Sequence, residues 1–347
     1  MSATSYKSAW KSPSNIALVK YWGKRGIQLP ANPSISFTLD NALSDTTVEA
    51  IASETQNGIS LEMYFESQRN EAFELKMKGF LEKAASAFSW LNHFHLIINS
   101  SNTFPHSSGI ASSASAFSAL SLCLCSIDEQ MKGVSDPAFF EKASYWSRIG
   151  SGSACRSVYG GYNLWGQTPA LNGSSDEFAV NIDDIIHPVF QNFKDTILII
   201  EKGKKAVSST AGHALLNAHP FAEIRYQSGF KNTERLLEVL ESGDVDSFIQ
   251  IVESEALMLH ALMITSPTPF ILMKPHTLSV IEKIWDFRNQ TGLHLLFTLD
   301  AGANVHLLNP ESENERVQEF VKNELVGYCQ NGLYLCNAVG KGPQKTQ

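Results

Sequence analysis

Cysteine is scarce: Cys123, Cys125, Cys155, Cys329 and Cys336 make five in 347 residues, with no CxxC pair. An odd, scattered set excludes a disulfide framework or a zinc cage and leads us to expect a reducing, cytoplasmic setting. Basic residues are also in deficit, 27 Lys and Arg against 35 Asp and Glu for a net charge of −8. No nucleic-acid partner is expected from that balance, although a local basic patch could still hold a small anion. Long apolar runs are missing, so no membrane span is expected, and the opening residues 1–15 lack the apolar core of a secretory signal. Charged residues are only 18% of the chain against 43% hydrophobic, ordinary for a folded globular protein. The length suggests two domains of roughly 150 residues each, or one large one. We set a boundary near 188, dividing the chain into 1–187 and 188–347.

Periodicity gives a coarse map. Residues 15–21 (NIALVKY) and 34–39 (SISFTL) read as strands, joined by a long turn marked by Gly23, Gly26, Pro30 and Pro33. A helix is expected over 79–90, a strand over 93–99 and a buried helix over 117–127. Residues 150–165 read as a Gly- and Ser-rich loop leading into a strand at 161–165, and 172–176 as a surface loop. Beyond the boundary the pattern predicts a strand over 196–200 and helices over 233–240, 245–263 and 278–287, the second capped by Asp244. Strands at 295–299 and 305–308 then close over the turn 300–304. Strands and helices mix without a βαβ rhythm, so the class is α+β.

Four constellations could carry chemistry. Residues 105–114 (PHSSGIASSA) place a glycine and serines at a helix start, where free N–H groups favour phosphate; a Ser-rich cap on a buried helix would look the same. Neither a P-loop nor a dinucleotide fingerprint is present. Residues 150–157 (GSGSACRS) surround one arginine with flexible residues, either an anion-binding loop with a bidentate fork or a solvated turn. Cys155 within it reads as a small buried residue, since no histidine stands out as its base. Asp300 in DAGAN is held in a glycine turn between apolar strands, as a group facing a substrate hydroxyl must be, and as many plain turns also are. Residues 20–25 (KYWGKR) gather three cations and two aromatics, a phosphate site or a strand end with snorkelling lysines. The ten histidines lack metal-ligand spacing, so no tightly bound metal is expected.

In order and wording these segments resemble the diphosphomevalonate decarboxylases, mevalonate-pathway members of the GHMP kinase superfamily. The similarity is carried by 15–25 (NIALVKYWGKR), 29–32 (LPAN) with Ser34 and Ser36, 104–114, 150–157 with 159–161 (YGG), 205–212 (KAVSSTAG) and 300–304, spanning residues 12 to 310. The resemblance implies the α+β GHMP kinase fold. The first domain would be like domain 2 of ribosomal protein S5 and the second α+β, with a last strand that can return to the first domain and the active site between the two. It also implies a reaction: ATP phosphorylates the tertiary 3-hydroxyl of mevalonate 5-diphosphate, and loss of phosphate and CO₂ gives isopentenyl diphosphate. By resemblance Asp300 is the base at that hydroxyl, Lys20 balances charge beside it, and Arg156 holds the substrate carboxylate. Tyr21, Lys24, Ser151, Ser153 and Ser209 would contact the 5-diphosphate. Pro105, Gly109, Ser112 and Ser113 would cradle ATP, with Mg²⁺ arriving on the nucleotide through Ser112 or Ser113. A homodimer is also implied.

The chain departs from the family pattern at His106, Ser107 and Ser108 (usually Thr-Ala-Ala), Pro33 (Ser), Ala303 (Pro) and His213 (Met). Arg69 is the one arginine in 69–80 available for a further diphosphate contact. The alternatives are a phosphomevalonate decarboxylase, a kinase without decarboxylation, and a non-catalytic GHMP relative. Retention of Lys20, Arg156 and Asp300 argues against the last two, and Tyr21, Lys24 and Ser153 favour the diphosphate.

Overall fold

The computed structural model describes residues 4–53, 58–105, 110–203 and 209–347. The chain opens with β1 (Ser5–Ala17), a small hairpin of β2 (Lys24–Arg25) and β3 (Leu29–Pro30), and the long β4 (Ser34–Ala52). From residue 42 to 51 β4 alternates buried and half-buried positions, one face on the core and one outward, while residues 34–39 are buried throughout. β1 therefore starts ten residues before the expected strand at 15 and stops at Ala17. Its first half escaped notice because its inward residues include serines rather than aliphatics. Ser12 Oγ donates to Ser118 Oγ at 2.7 Å, and Trp10 Nε1 to Ser126 Oγ at 2.9 Å. Pro13, which cannot donate to a ladder, sits where the register with β4 slips.

β5 (Ser60–Phe65), β6 (Gln68–Arg69), α1 (Glu71–Ala84) and β7 (Phe94–Asn102) follow. Asn70 caps α1 through its side chain, so the helix begins eight residues earlier than the expected 79 and ends at Ala84. Then come α2 (Ser112–Lys132), α3 (Phe139–Gly150), β8 (Tyr162–Trp165) and β9 (Ala179–Asn181). α2 is lined with Ser, Ala and Cys on its buried face, and these small side chains let it lie close against β1 and β4.

The second half contains α4 (Pro188–Gln191), β10 (Lys194–Leu198), α5 (Ser209–Ala214), α6 (Ala222–Ser242) and α7 (Val245–Ile264). It continues with α8 (Pro275–Thr291), β11 (Leu296–Thr298), β12 (Val305–Asn309), α9 (Asn314–Phe320), β13 (Tyr334–Ala338) and β14 (Gln344–Lys345). Asp244 caps α7, accepting from Ser247 N–H at 3.0 Å, as the sequence predicts. By length and composition α7 could cross a bilayer, but in the fold it is a largely buried core helix.

Among the described residues an eight-stranded sheet runs β14-β1-β4-β7-β5-β6, with β8 paired to β4 and β9 to β8. A four-stranded antiparallel sheet runs β11-β12-β10-β13. One hydrophobic cluster spans both, joining Ile16, Phe37 and Tyr162 to Ile197, Leu240 and Phe248. Residues 339–345 thread back into the first sheet: Gly340 N–H donates to Thr38 O at 2.7 Å, and Gly161 N–H to Gly340 O at 2.8 Å. A Cβ on Gly160 would stand 2.5 Å from the Lys341 carbonyl, so the passage admits only glycine there. This α+β arrangement, with segments 18–23, 150–157 and 300–304 meeting between the two sheets, sets up the site.

Candidate active site

Lys20 lies just past β1, where the chain has left the ladder, and its side chain is 2% exposed. Nζ donates to Ala17 O at 2.6 Å and stands 3.2 Å from Asp300 Oδ1. Burial lowers the Lys20 pKa from its ordinary value, and the Asp300 carboxylate pulls it back up. Asp300 itself remains 27% exposed, so its carboxylate faces the opening while the lysine lies behind it. With Ala303 in the turn, no proline ring restricts φ; instead Thr277 Oγ1 donates to Ala303 O at 2.7 Å and Asn304 Oδ1 accepts from Glu201 N–H at 3.0 Å.

Arg156 sits in the short 3₁₀ helix Gly152–Ser157, 2% exposed. Nη1 donates to Ser34 Oγ, Nη2 donates to Asn15 Oδ1 at 3.3 Å, and the guanidinium lies 5.9 Å from the Trp165 ring centre. Asn15 is itself fixed, donating to Ser157 Oγ at 2.8 Å and Ser153 O at 3.1 Å. Among the described residues no carboxylate lies within ion-pair distance of Arg156. Burial lowers its pKa, with Cys155, Asp300 and Tyr21 acting in the opposite sense. Cys155 is no nucleophile: burial raises its thiol to about 12, and Sγ donates to Gly152 O at 3.1 Å.

Tyr21 packs between Trp165 and His213, with ring centres 4.6 and 4.5 Å away. Burial raises its phenol, so it stays a neutral donor, and its hydroxyl has no partner among the described residues. A Cβ on Gly152 would stand 2.7 Å from that oxygen, so glycine is what lets the loop carrying Ser151 and Ser153 approach Tyr21. His213 Nδ1 accepts from Gly23 N–H at 3.0 Å, and burial, then nearby Lys24, push its pKa down to about 3. Lys24 is half-buried, and desolvation lowers its pKa. Pro33 packs against Gly166 and accepts from Asn32 Nδ2 at 2.7 Å.

A cavity opens at the start of α2. Met63, Phe73, Met77 and Ile98 are among its apolar walls, and Ser112 and Ser113 stand at its polar side. Lys76 Nζ reaches 5.1 Å over the Phe117 ring at the same cavity. An apolar slot beside free helix N–H groups suits a purine nucleotide. The hydroxyls of Ser112 and Ser113 at this cavity could share Mg²⁺ with nucleotide phosphates.

The structure thus joins Lys20 to Asp300, sets Tyr21 against Gly152 between Ser151 and Ser153 on the segment that carries Arg156, places Lys24 near His213, and puts Ser112 and Ser113 at the cavity beside α2. Pro105 ends the described stretch before α2. Gly109, with His106, Ser107 and Ser108, lies outside the described residues, as do 204–208; Ser209 opens α5, but its side chain is also outside them. Arg69 makes no contact with these residues among the described ones: it is exposed on the edge strand β6, 3.3 Å from Glu74. Sequence reasoning missed Asn15 as a partner of Arg156, and Lys76. It also missed Arg225, Glu255 and His260, whose contacts reach the main chain of Lys20 and Asp300.

Residues 12–178 match a family model described as diphosphomevalonate decarboxylase-like N-terminal domain, and 196–343 match the mevalonate 5-diphosphate decarboxylase C-terminal domain. The diphosphomevalonate decarboxylase of Debaryomyces hansenii is 30% identical over 325 residues, covering 90% of this chain and 81% of that protein. A structure of the mevalonate diphosphate decarboxylase from Enterococcus faecalis, concerning its mevalonate diphosphate mediated ATP binding, is 26% identical with a TM-score of 0.83 over 99% of this chain and 100% of that one. A further structure, MDDEF in complex with MVAPP, AMPPCP and magnesium, superposes with the same TM-score of 0.83, identity of 26% and coverage of 99% and 100%.

Proposed function

This chain belongs to the diphosphomevalonate decarboxylase family, and from that premise we propose that it uses ATP to convert mevalonate 5-diphosphate into isopentenyl diphosphate, ADP, phosphate and CO₂. The observation that carries the assignment of roles is the pairing of buried Lys20 with partly exposed Asp300 at 3.2 Å, beside an Arg156 that has no carboxylate partner among the described residues. A tertiary alcohol is a poor nucleophile and a poor leaving group; phosphorylating it solves the second problem, and Asp300 addresses the first. Its carboxylate orients the 3-hydroxyl and takes its proton as the γ-phosphoryl group transfers. Lys20, held behind it with Nζ 3.2 Å from Asp300 Oδ1, offsets the charge that gathers at the transferring group. Arg156 meets the substrate carboxylate with its fork. As phosphate departs, positive charge grows at C3, and the electrons of the breaking C–C bond fill it, so Arg156 must orient the carboxylate without holding it more tightly than the transition state.

Tyr21, Lys24, Ser151, Ser153 and Ser209 take the 5-diphosphate, the phenol and hydroxyls donating and Lys24 adding charge. The cavity beside α2 takes the nucleotide, with Ser112, Ser113, Pro105 and Gly109 around its phosphates. Mg²⁺, carried on ATP, supplies charge neutralisation at the phosphate oxygens. The enzyme works as a homodimer in the cytoplasm, a setting supported by five free cysteines, four of them buried. The test is ATP-dependent release of phosphate and CO₂ from mevalonate 5-diphosphate and mevalonate 5-phosphate side by side, with Asp300→Asn as blank. We expect release from the diphosphate and a fall on the order of 10³-fold in the variant, with substrate binding kept. Release from the monophosphate alone would overturn the assigned 5-substituent, and ADP without CO₂ would overturn decarboxylation.

A further inference from the structure

Helix α7 carries two side chains that reach the catalytic pair from behind. Glu255 is fully buried, and its oxygens accept four hydrogen bonds: one from Lys20 N–H at 2.8 Å, two from the terminal nitrogens of Arg225 at 2.7 Å each, and one from Asn232 Nδ2 at 2.7 Å. That fills the acceptor capacity of a carboxylate. Arg225, 1% exposed, also donates through Nη2 to Lys20 O at 2.7 Å, and Asn32 Nδ2 donates to the same carbonyl at 3.2 Å. Both main-chain polar atoms of Lys20 therefore end on this ion pair. Further along the helix, His260 Nε2 donates to the Asp300 main-chain carbonyl at 3.1 Å. His260 is 1% exposed, and burial lowers its pKa to about 4, so the ring is neutral and its Nε2 proton is available for that bond.

A buried ion pair adds little net stability over well-packed apolar residues of the same volume. Its geometry here does something else. Lys20 lies beyond the end of a strand, and Asp300 lies in a turn without proline, so neither has a regular ladder to hold its backbone. α7 is a capped helix of 20 residues and is rigid by comparison.

Resting on the roles assigned to Lys20 and Asp300 above, we propose that α7 is the positioning element of the catalytic pair. Glu255, together with Arg225, sets Lys20 through its main chain, and His260 sets Asp300 through its carbonyl. One helix thereby fixes the separation between cation and base. These are positioning residues: they act through the main chain of their catalytic partners, and a displacement of about 1 Å at the reacting groups costs on the order of 10²-fold in rate.

The experiment uses the full chain and begins with the wild type: without ATP-dependent phosphate release from mevalonate 5-diphosphate, the functional reading fails, whatever α7 does. Given an active wild type, His260→Phe should lower kcat on the order of 10²-fold while both KM values hold. His260→Gln, whose amide can still donate, should recover most of the loss. The double variant Glu255→Gln/Arg225→Met removes both charges together and leaves Lys20 O without its arginine donor, so it should lower kcat while the urea midpoint stays near wild type. Wild-type kcat in His260→Phe or in the double variant would overturn the proposal. So would a loss that His260→Gln does not recover, or one that matches the fraction of unfolded protein.

Discussion

Two arginines are buried almost equally, Arg156 at 2% and Arg225 at 1% exposure, in opposite electrostatic settings. Arg225 meets the Glu255 carboxylate with both terminal nitrogens, so its charge is cancelled inside the protein. Arg156 meets the hydroxyl of Ser34 and the amide of Asn15 through its two terminal nitrogens, neutral partners that supply no anion. A buried cation with no carboxylate in ion-pair contact among the described residues is costly to hold, and an anion that enters beside it offsets that cost. The neutralised guanidinium is a strut. The other is the receptor in the proposed reaction, its terminal nitrogens held by neutral partners.

That contrast can be broken by experiment, and the largest effect belongs to the strut. Arg225→Met leaves Glu255 buried without its partner and should lower unfolding free energy by about 3–5 kcal/mol, read from urea denaturation. Arg156→Lys should leave that midpoint near wild type but cost on the order of 10²-fold in kcat, because the planar fork is lost while charge remains. If the two variants exchange phenotypes, strut and receptor have been misassigned. Gly152→Ala sharpens the receptor side: the new Cβ, 2.7 Å from Tyr21 Oη, must push the phenol aside, and KM for the diphosphate should rise about tenfold with the nucleotide KM unchanged.

The smallest effect is a matter of pH. His213 and His260 are buried and neutral, with pKa values near about 3 and about 4 against an ordinary 6.5. The unfolded chain therefore binds protons that the folded chain refuses. The stability linked to these rings is present in full above pH 6.5 and is lost as pH falls from there toward 4 and then 3. His213→Met should remove one ring's share, so the urea midpoint should drop less between pH 7 and 5 than in wild type. An identical drop would show that His213 does not carry this acid sensitivity.

The sequence made one layer of this site legible and left the next hidden, for a physical reason. Lys20, Arg156 and Asp300 lie in segments whose glycines, serines and clustered charges signal a local conformation. Glu255, His260 and Arg225 lie on amphipathic helices, where a single polar residue on a buried face has no sequence neighbour to reveal its partner. Lys20 and Glu255 are bonded across most of the chain, and only the fold supplies that proximity. The same logic divides the secondary structure. Strands at 93–99, 295–299 and 305–308 and the helix at 245–263 are readable from apolar periodicity. The first half of β1 was not, because buried serines replace the aliphatics that periodicity looks for, and α3 was passed over altogether.

The threading of residues 339–345 through the first sheet bears on how the chain is made. β1 and β4 emerge from the ribosome early, but the strand that pairs with the outer edge of β1 emerges only after the entire second half. Until then the Thr38 carbonyl and the Gly161 amide lack the main-chain partners that Gly340 provides. The first sheet must therefore wait, incompletely closed, through most of synthesis. Once Gly340 is seated, neither half can open without tearing hydrogen bonds from the other, so the finished molecule should melt in a single transition although its two sheets could have been separate folding units.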